Sequence, residues 1–142
     1  MSEKNYQALV NDRIFIGGAD DAKEVVENEK ADVVFDLRAE APTEKTDYNR
    51  IHSPIVDDAE GQEESIKYAI DSVLTAYEEG KTVFFHCAGG SNRTGTVAIG
   101  TLLGLGEASS VEEAEEKAKF IRPKINVKLE MKEALKRIYP EA

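Results

Sequence analysis

Residues 81–95, KTVFFHCAGGSNRTG, carry an apolar run into a glycine-containing loop and then into the start of a helical segment. KTVFFHC (81–87) is the strongest strand candidate in the chain, because Val83, Phe84 and Phe85 are β-branched or aromatic and Gly80 and Gly89 bound the run. A run that is apolar at both parities suits a strand covered on both faces, as in a parallel sheet between helices. Arg93–Leu105, which follows the AGGSN loop, is apolar enough to be a helix packed against that sheet.

Working outward, the period of the apolar residues keeps changing between strand and helix values. RIFIGG (13–18) reads as a short strand, and Ala19–Lys30 as a helix with Ala22, Val25 and Val26 on one side and Asp20 and Asp21 suited to its N-terminus. ADVVFDLR (31–38) reads as a buried parallel strand and 39–50 as a polar loop. IHSPIV (51–56) is a weaker strand whose Pro54 belongs at a sheet edge or a strand end. From Gln62 to Glu79 the residues Ile66, Ala69, Ile70, Val73, Leu74 and Tyr77 make one apolar helical stripe, which Gly80 ends. SSVEEAEEKAKFIRP and NVKLEMKEALKRIY give two more helices, the first with a capped start at Ser109/Ser110.

This order predicts an α/β fold: a central, mostly parallel sheet of about four or five strands with helices on both faces. The chain is 142 residues long without internal repeat or linker, so 1–142 is expected to be one domain. Ligands of such sheets bind at the carboxyl ends of the strands, which directs attention to the loop after FFHC.

Composition narrows the chemistry. Lys+Arg is 18 against Asp+Glu 28, a formal charge of −10 that disfavours nucleic acid and anionic membrane surfaces as partners. A bound anion must therefore be held locally. One cysteine, Cys87, can form neither an intrachain disulfide nor a Cys-rich metal cluster, and a cytoplasmic protein without metal or other cofactor is the expectation. The polar N-terminus and the lack of a long apolar stretch point the same way.

The loop itself suggests nucleophilic chemistry at phosphorus. Glycines at 89 and 90 allow the chain to curl so that the amides of Ala88, Gly89, Gly90, Ser91 and Asn92 converge on an anion at a helix N-terminus. The same field favours a thiolate at Cys87. Arg93 would grip phosphate oxygens with its planar guanidinium while Cys87 attacks phosphorus, forming a phosphocysteine. Thr94 would donate its hydroxyl to the sulfur and ease its departure. His86 is expected to orient the loop rather than to act as a base.

HCAGGSNRTG (86–95) is similar to the signature H-C-x-x-G-x-x-R-[S/T]-G of the cysteine-dependent protein phosphatases, a match expected by chance about once in a million chains of this length. IFIGG, VVFDLR, PIVDD and IRPKINVKLE extend the resemblance over most of the chain, and the small dual-specificity-like branch is the nearer one. The resemblance implies a general acid/base on the segment PIVDD, where Asp57 and Asp58 lie 30 and 29 positions before Cys87. Pro54-x-x-Asp57 favours Asp57, with Asp58 the alternative. It also implies phosphotyrosine, and in a shallow pocket phosphoserine or phosphothreonine, as substrate groups in phosphoproteins. Around the site, Arg38 and Glu40 read as solvated loop charges or as the pocket border. His52 reads as structural or surface, and Arg122 as a helix end in contact with the acid loop. Two other classes stay open: a sulfurtransferase-like enzyme carrying sulfur on Cys87, and a phosphate-binding module without turnover.

Overall fold

The computed structural model of the chain describes residues 5–39, 48–56 and 61–141. Its strands, β1 (Gln7–Val10), β2 (Ile14–Gly18), β3 (Val33–Asp36), β4 (Arg50–His52) and β5 (Val83–Cys87), form one sheet in the order β1-β2-β5-β3-β4. All neighbours are parallel except β1 and β2. The helices are α1 (Ala22–Glu29), α2 (Gln62–Glu78), α3 (Asn92–Gly104), α4 (Val111–Ile121) and α5 (Leu129–Ile138). The mostly parallel α/β sheet expected from the sequence is therefore present. Among the described residues no helix is long and apolar enough to cross a membrane.

Strand alternation divides the core. Ile14, Ile16, Val33, Phe35, Val83, Phe85 and Cys87 join a large cluster with residues of α2–α5, while Phe15, Val34 and Phe84 join a smaller one with Tyr6 and the α1 residues Ala22 and Val25. The apolar runs at 33–36 and 83–87 are thus apolar at both parities because both faces are covered. Burying a side chain of this size contributes about 1.5–3 kcal/mol, and β5, with five buried residues in the middle of the sheet, anchors the loop that leaves its end.

Two local features differ from the sequence reading. β1 was not expected, and the reason is a register shift between Ala8 and Val10 that breaks the period-2 pattern: Leu9 and Val10 are both buried. It closes on β2 through a turn in which Asn11 has φ 50°. Ala19, Asp20 and Asp21 form a short 3-10 turn, and Asp21, though it stands at the N-cap position of α1, makes no side-chain capping bond: its carboxylate turns back to accept the Gly18 amide at 2.8 Å. At two other helix ends the expected signals hold. Gly80 ends α2 with φ 86°, and Ser110 caps α4 by accepting the Glu113 amide at 3.0 Å. β4 lies at the sheet edge and ends before Pro54.

Candidate active site

β5 ends at Cys87 and α3 starts at Asn92, so Ala88–Ser91 must turn the chain at the carboxyl end of the central strand. Cys87 is only 5% exposed. Its amide donates to Thr94 Oγ1 at 2.9 Å, and the Thr94 hydroxyl donates to Cys87 Sγ at 3.1 Å. A hydroxyl has a single proton, so accepting the amide leaves that proton directed at sulfur. Burial pushes the Cys87 thiol up, but the Thr94 hydroxyl and the amides of Thr94, Ser91 and Gly90 outweigh it and hold the thiol below its ordinary range. Ser91, the N-cap of α3, makes no side-chain capping bond, so the amides at the helix start remain directed into the loop.

Gly90 has φ 72°, and a Cβ there would meet Arg122 Nη2 at 2.5 Å and Gly17 O at 2.7 Å, so the position requires glycine on both counts. Gly89 differs from expectation. It is exposed and a Cβ would meet nothing within 4 Å, so neither close approach nor backbone angle demands glycine there. Ala88 is exposed and its carbonyl accepts the Ala19 amide at 3.0 Å, fastening the loop to the end of β2. Asn92 Oδ1 accepts the Lys128 amide at 3.0 Å, which commits that side chain to the connector between α4 and α5. At Gly95 a Cβ would strike Ile125 and Val127 at 2.7 Å, so glycine lets the same connector lie against α3.

His86 is 1% exposed and sits beside Phe84, ring centroids 5.5 Å apart, on the α1 face of the sheet. The sulfur points to the other face, which removes His86 as a base for it. Its Nδ1 lies 3.0 Å from Cys87 O, and since a carbonyl only accepts, the proton is on Nδ1. Burial pulls its pKa down and keeps the ring neutral. The carbonyl of Cys87 is thereby fixed, in line with the expected orienting role.

Arg93 is part-buried, and its Nε donates to Ile55 O at 2.7 Å. Ile55 is fully buried and its amide donates to Leu37 O at 3.1 Å, while the Val56 amide donates to Ser65 Oγ at 3.2 Å. The stem leading to Asp57 is therefore held against Arg93. Asp57 and Asp58 themselves lie outside the described residues, as does Glu40. Arg38 is paired and not a lone solvated charge: its Nε and Nη2 donate to the two carboxylate oxygens of buried Asp36 at 2.9 and 2.6 Å. Burial would raise the Asp36 pKa, but Arg38 holds it below its ordinary value. His52 Nε2 lies 2.7 Å from the Arg38 carbonyl, as fits a structural residue.

Arg122 departs furthest from expectation. It is 3% exposed and, among the described residues, contacts the loop after β5: Nε donates to Gly90 O at 2.9 Å and Nη2 to Gly89 O at 3.2 Å. Nη1 donates to Asn5 O at 2.6 Å and to Gln7 Oε1 at 2.8 Å. Among the described residues no cluster of three or more His, Cys, Asp or Glu is arranged to hold a metal ion.

The chain matches the family model "Dual specificity phosphatase, catalytic domain" over residues 14–140. It belongs to the dual specificity phosphatase family. The phosphatase also superposes on solved structures at identities that speak for the fold. One is a leucine rich repeat and phosphatase domain containing protein from Entamoeba histolytica (TM-score 0.80, 18% identity, 96% of this chain and 91% of the other). Another is human DUSP28 (TM-score 0.79, 16% identity, 96% and 93%), and a third is PTPMT1 in complex with PI(5)P (TM-score 0.77, 20% identity, 96% and 96%). No curated protein compared with the chain matches it. Family membership and the acidified Cys87 together identify an enzyme that hydrolyses phosphate monoesters through a phosphocysteine.

Proposed function

We propose that the physiological substrates are phosphoproteins, with Cys87 as nucleophile, Arg93 and the amides of residues 88–92 as the phosphate-binding group, and Asp57 as general acid and base. In the first step the Cys87 thiolate forms an S–P bond as the bond from phosphorus to the leaving oxygen breaks, and Asp57 gives that oxygen its proton. In the second, the Asp57 carboxylate takes a proton from water, the water oxygen bonds phosphorus, and the S–P bond breaks. The Thr94 hydroxyl, 3.1 Å from sulfur, stabilises the thiolate that departs. Arg93 and the loop amides neutralise charge on the equatorial oxygens in both steps with little reorganisation. The observation that carries this reading is the buried sulfur at the end of β5, to which the Thr94 hydroxyl donates at 3.1 Å. A sulfurtransferase or a silent binding module has no use for the Asp-bearing stem that Arg93 holds.

The choice of phosphoprotein over phosphoinositide rests on the loop. PTPMT1 has been crystallised with PI(5)P, but Ala88, Gly89, Ser91 and Asn92 here include no Lys or Arg to meet a polyphosphorylated headgroup. A net charge of −10 disfavours anionic membranes and nucleic acid as partners in the same way. A single unprotected thiolate suits a reducing compartment such as the cytoplasm. A panel of phosphotyrosine peptide, phosphothreonine peptide and phosphoinositide tests this: the peptides should turn over fastest, and preference for the phosphoinositide would overturn the substrate assignment.

The acid is tested separately. Asp57→Ala should lower kcat by about 10²-fold for substrates with poor leaving groups and much less for an aryl phosphate with a good one. Asp58→Ala should leave that dependence intact. The reverse pattern makes Asp58 the acid, and small equal effects would mean that neither residue is.

A further inference from the structure

We propose that Arg122 is a positioning residue of the phosphatase: it grips the carbonyls of Gly89 and Gly90 from behind, so that the amides of those two peptide units face the sulfur and the incoming phosphate, and it ties them to the N-terminal strand. This rests on the reading of residues 88–92 as the phosphate-binding loop. A trans peptide holds its C=O and N–H on opposite sides, and no cis peptide occurs among the described residues. Gly89 O belongs to the same peptide unit as the Gly90 amide, and Gly90 O to the same unit as the Ser91 amide. With both carbonyls turned to one guanidinium at 3.2 and 2.9 Å, both amides must point the other way, into the loop. The Gly90 and Ser91 amides are indeed among the groups that stabilise the Cys87 thiolate.

The remaining contacts of Arg122 explain why arginine is used. Its partners are three backbone carbonyls and the Gln7 amide oxygen, with no carboxylate in ion-pair contact among the described residues. A buried cation without such a counter-ion lacks its usual compensation. The Cys87 thiolate is one of the negative groups that stabilise it, after Asp21. Charge on sulfur or phosphate in front of the loop therefore complements charge on Arg122 behind it. The planar fork is what reaches two successive carbonyls at once, a geometry lysine does not reproduce. Gly90 has to be glycine at the point of contact, because a Cβ would lie 2.5 Å from Arg122 Nη2. The edge strand β1 is thereby coupled to catalysis, since Gln7 and Asn5 orient the far end of the same guanidinium.

Arg122→Lys and Arg122→Met, with Gln7→Ala as a milder break in the tether, test the proposal in the 142-residue chain. The readouts are melting temperature, vanadate inhibition, kcat/KM for an aryl phosphate, and the pH midpoint of Cys87 alkylation by iodoacetamide, which needs no substrate. Arg122→Lys, with its charge kept, should remain folded yet bind vanadate about tenfold more weakly and lose about 10²-fold in kcat/KM. Its alkylation midpoint should move to higher pH. Arg122→Met should exceed these effects, and Gln7→Ala should show them in smaller measure. A folded Arg122→Lys protein with the wild-type midpoint and vanadate affinity would overturn the proposal. If neither Arg122 variant folds, Gln7→Ala decides, and wild-type values there overturn it. Failure of the wild type to hydrolyse phosphate esters would instead strike the catalytic reading.

Discussion

Cys87→Ser is expected to abolish turnover of a small aryl phosphate, by at least about 10⁴-fold, while the protein stays folded and still binds vanadate or phosphate. The serine hydroxyl can take the place of the thiol between its amide and Thr94, but unlike an acidified thiol it is not ionised near neutral pH. The loop amides and Arg93 are untouched by the change, so oxyanion affinity persists while the S–P bond can no longer form. Cys87 is almost fully buried, and exchange of sulfur for oxygen there alters volume little, so a stability change of about 1 kcal/mol, or about 4 °C in Tm, is the most to expect. Substantial activity in the serine variant would contradict cysteine nucleophilic catalysis. Wild-type activity in its place would also leave the lowered thiol pKa without a function.

Arg93→Lys carries the second large effect. Lysine preserves the charge, but it gives up the planar two-pronged contact with phosphate oxygens and the Nε bond to Ile55 O. The first loss weakens transition-state stabilisation directly. The second releases Ile55, two residues before the proposed acid Asp57, from the side chain proposed to bind phosphate. Together they should lower kcat/KM by about 10²–10³-fold and weaken vanadate, with little change in melting temperature because Arg93 is only part-buried. A variant within about threefold of wild type would remove Arg93 from the phosphate-binding group.

Much of the fold was legible because it is written in short periods. The run Val83–Phe85 is apolar at both parities since α1 covers one face and α2–α5 the other, and the stripe from Ile66 to Tyr77 is the buried side of α2. β1 was illegible for the opposite reason: a register shift places Leu9 and Val10 both inside, so no alternation exists to be read. The site divides in the same way. Cys87 and Thr94 are seven positions apart, on either side of one short loop, and local spacing is enough to foresee their pairing. Arg122 meets the loop from 32 and 33 residues away through backbone carbonyls, which leave no trace in the identity of Gly89. The only hint was an arginine before Pro123 at a helix end. The glycine pair looks uniform in sequence for a related cause: Arg122 meets the carbonyl of each, while only Gly90 adopts a positive φ and leaves no room for a Cβ. Arg38 shows the limit of reading charges singly. Its partner, Asp36, sits two residues away but points inward from a buried strand, and only the pairing makes both understandable.

The most direct test of the central claim is to mix the enzyme with a rapidly cleaved aryl phosphate, quench within the first turnovers, and map the phosphoryl group by mass spectrometry of the peptides. The account predicts one phosphoryl group on the peptide containing Cys87, bound to sulfur, and none in Cys87→Ser. A phosphoryl group on another residue, or steady turnover with none on Cys87 at any time, would contradict it.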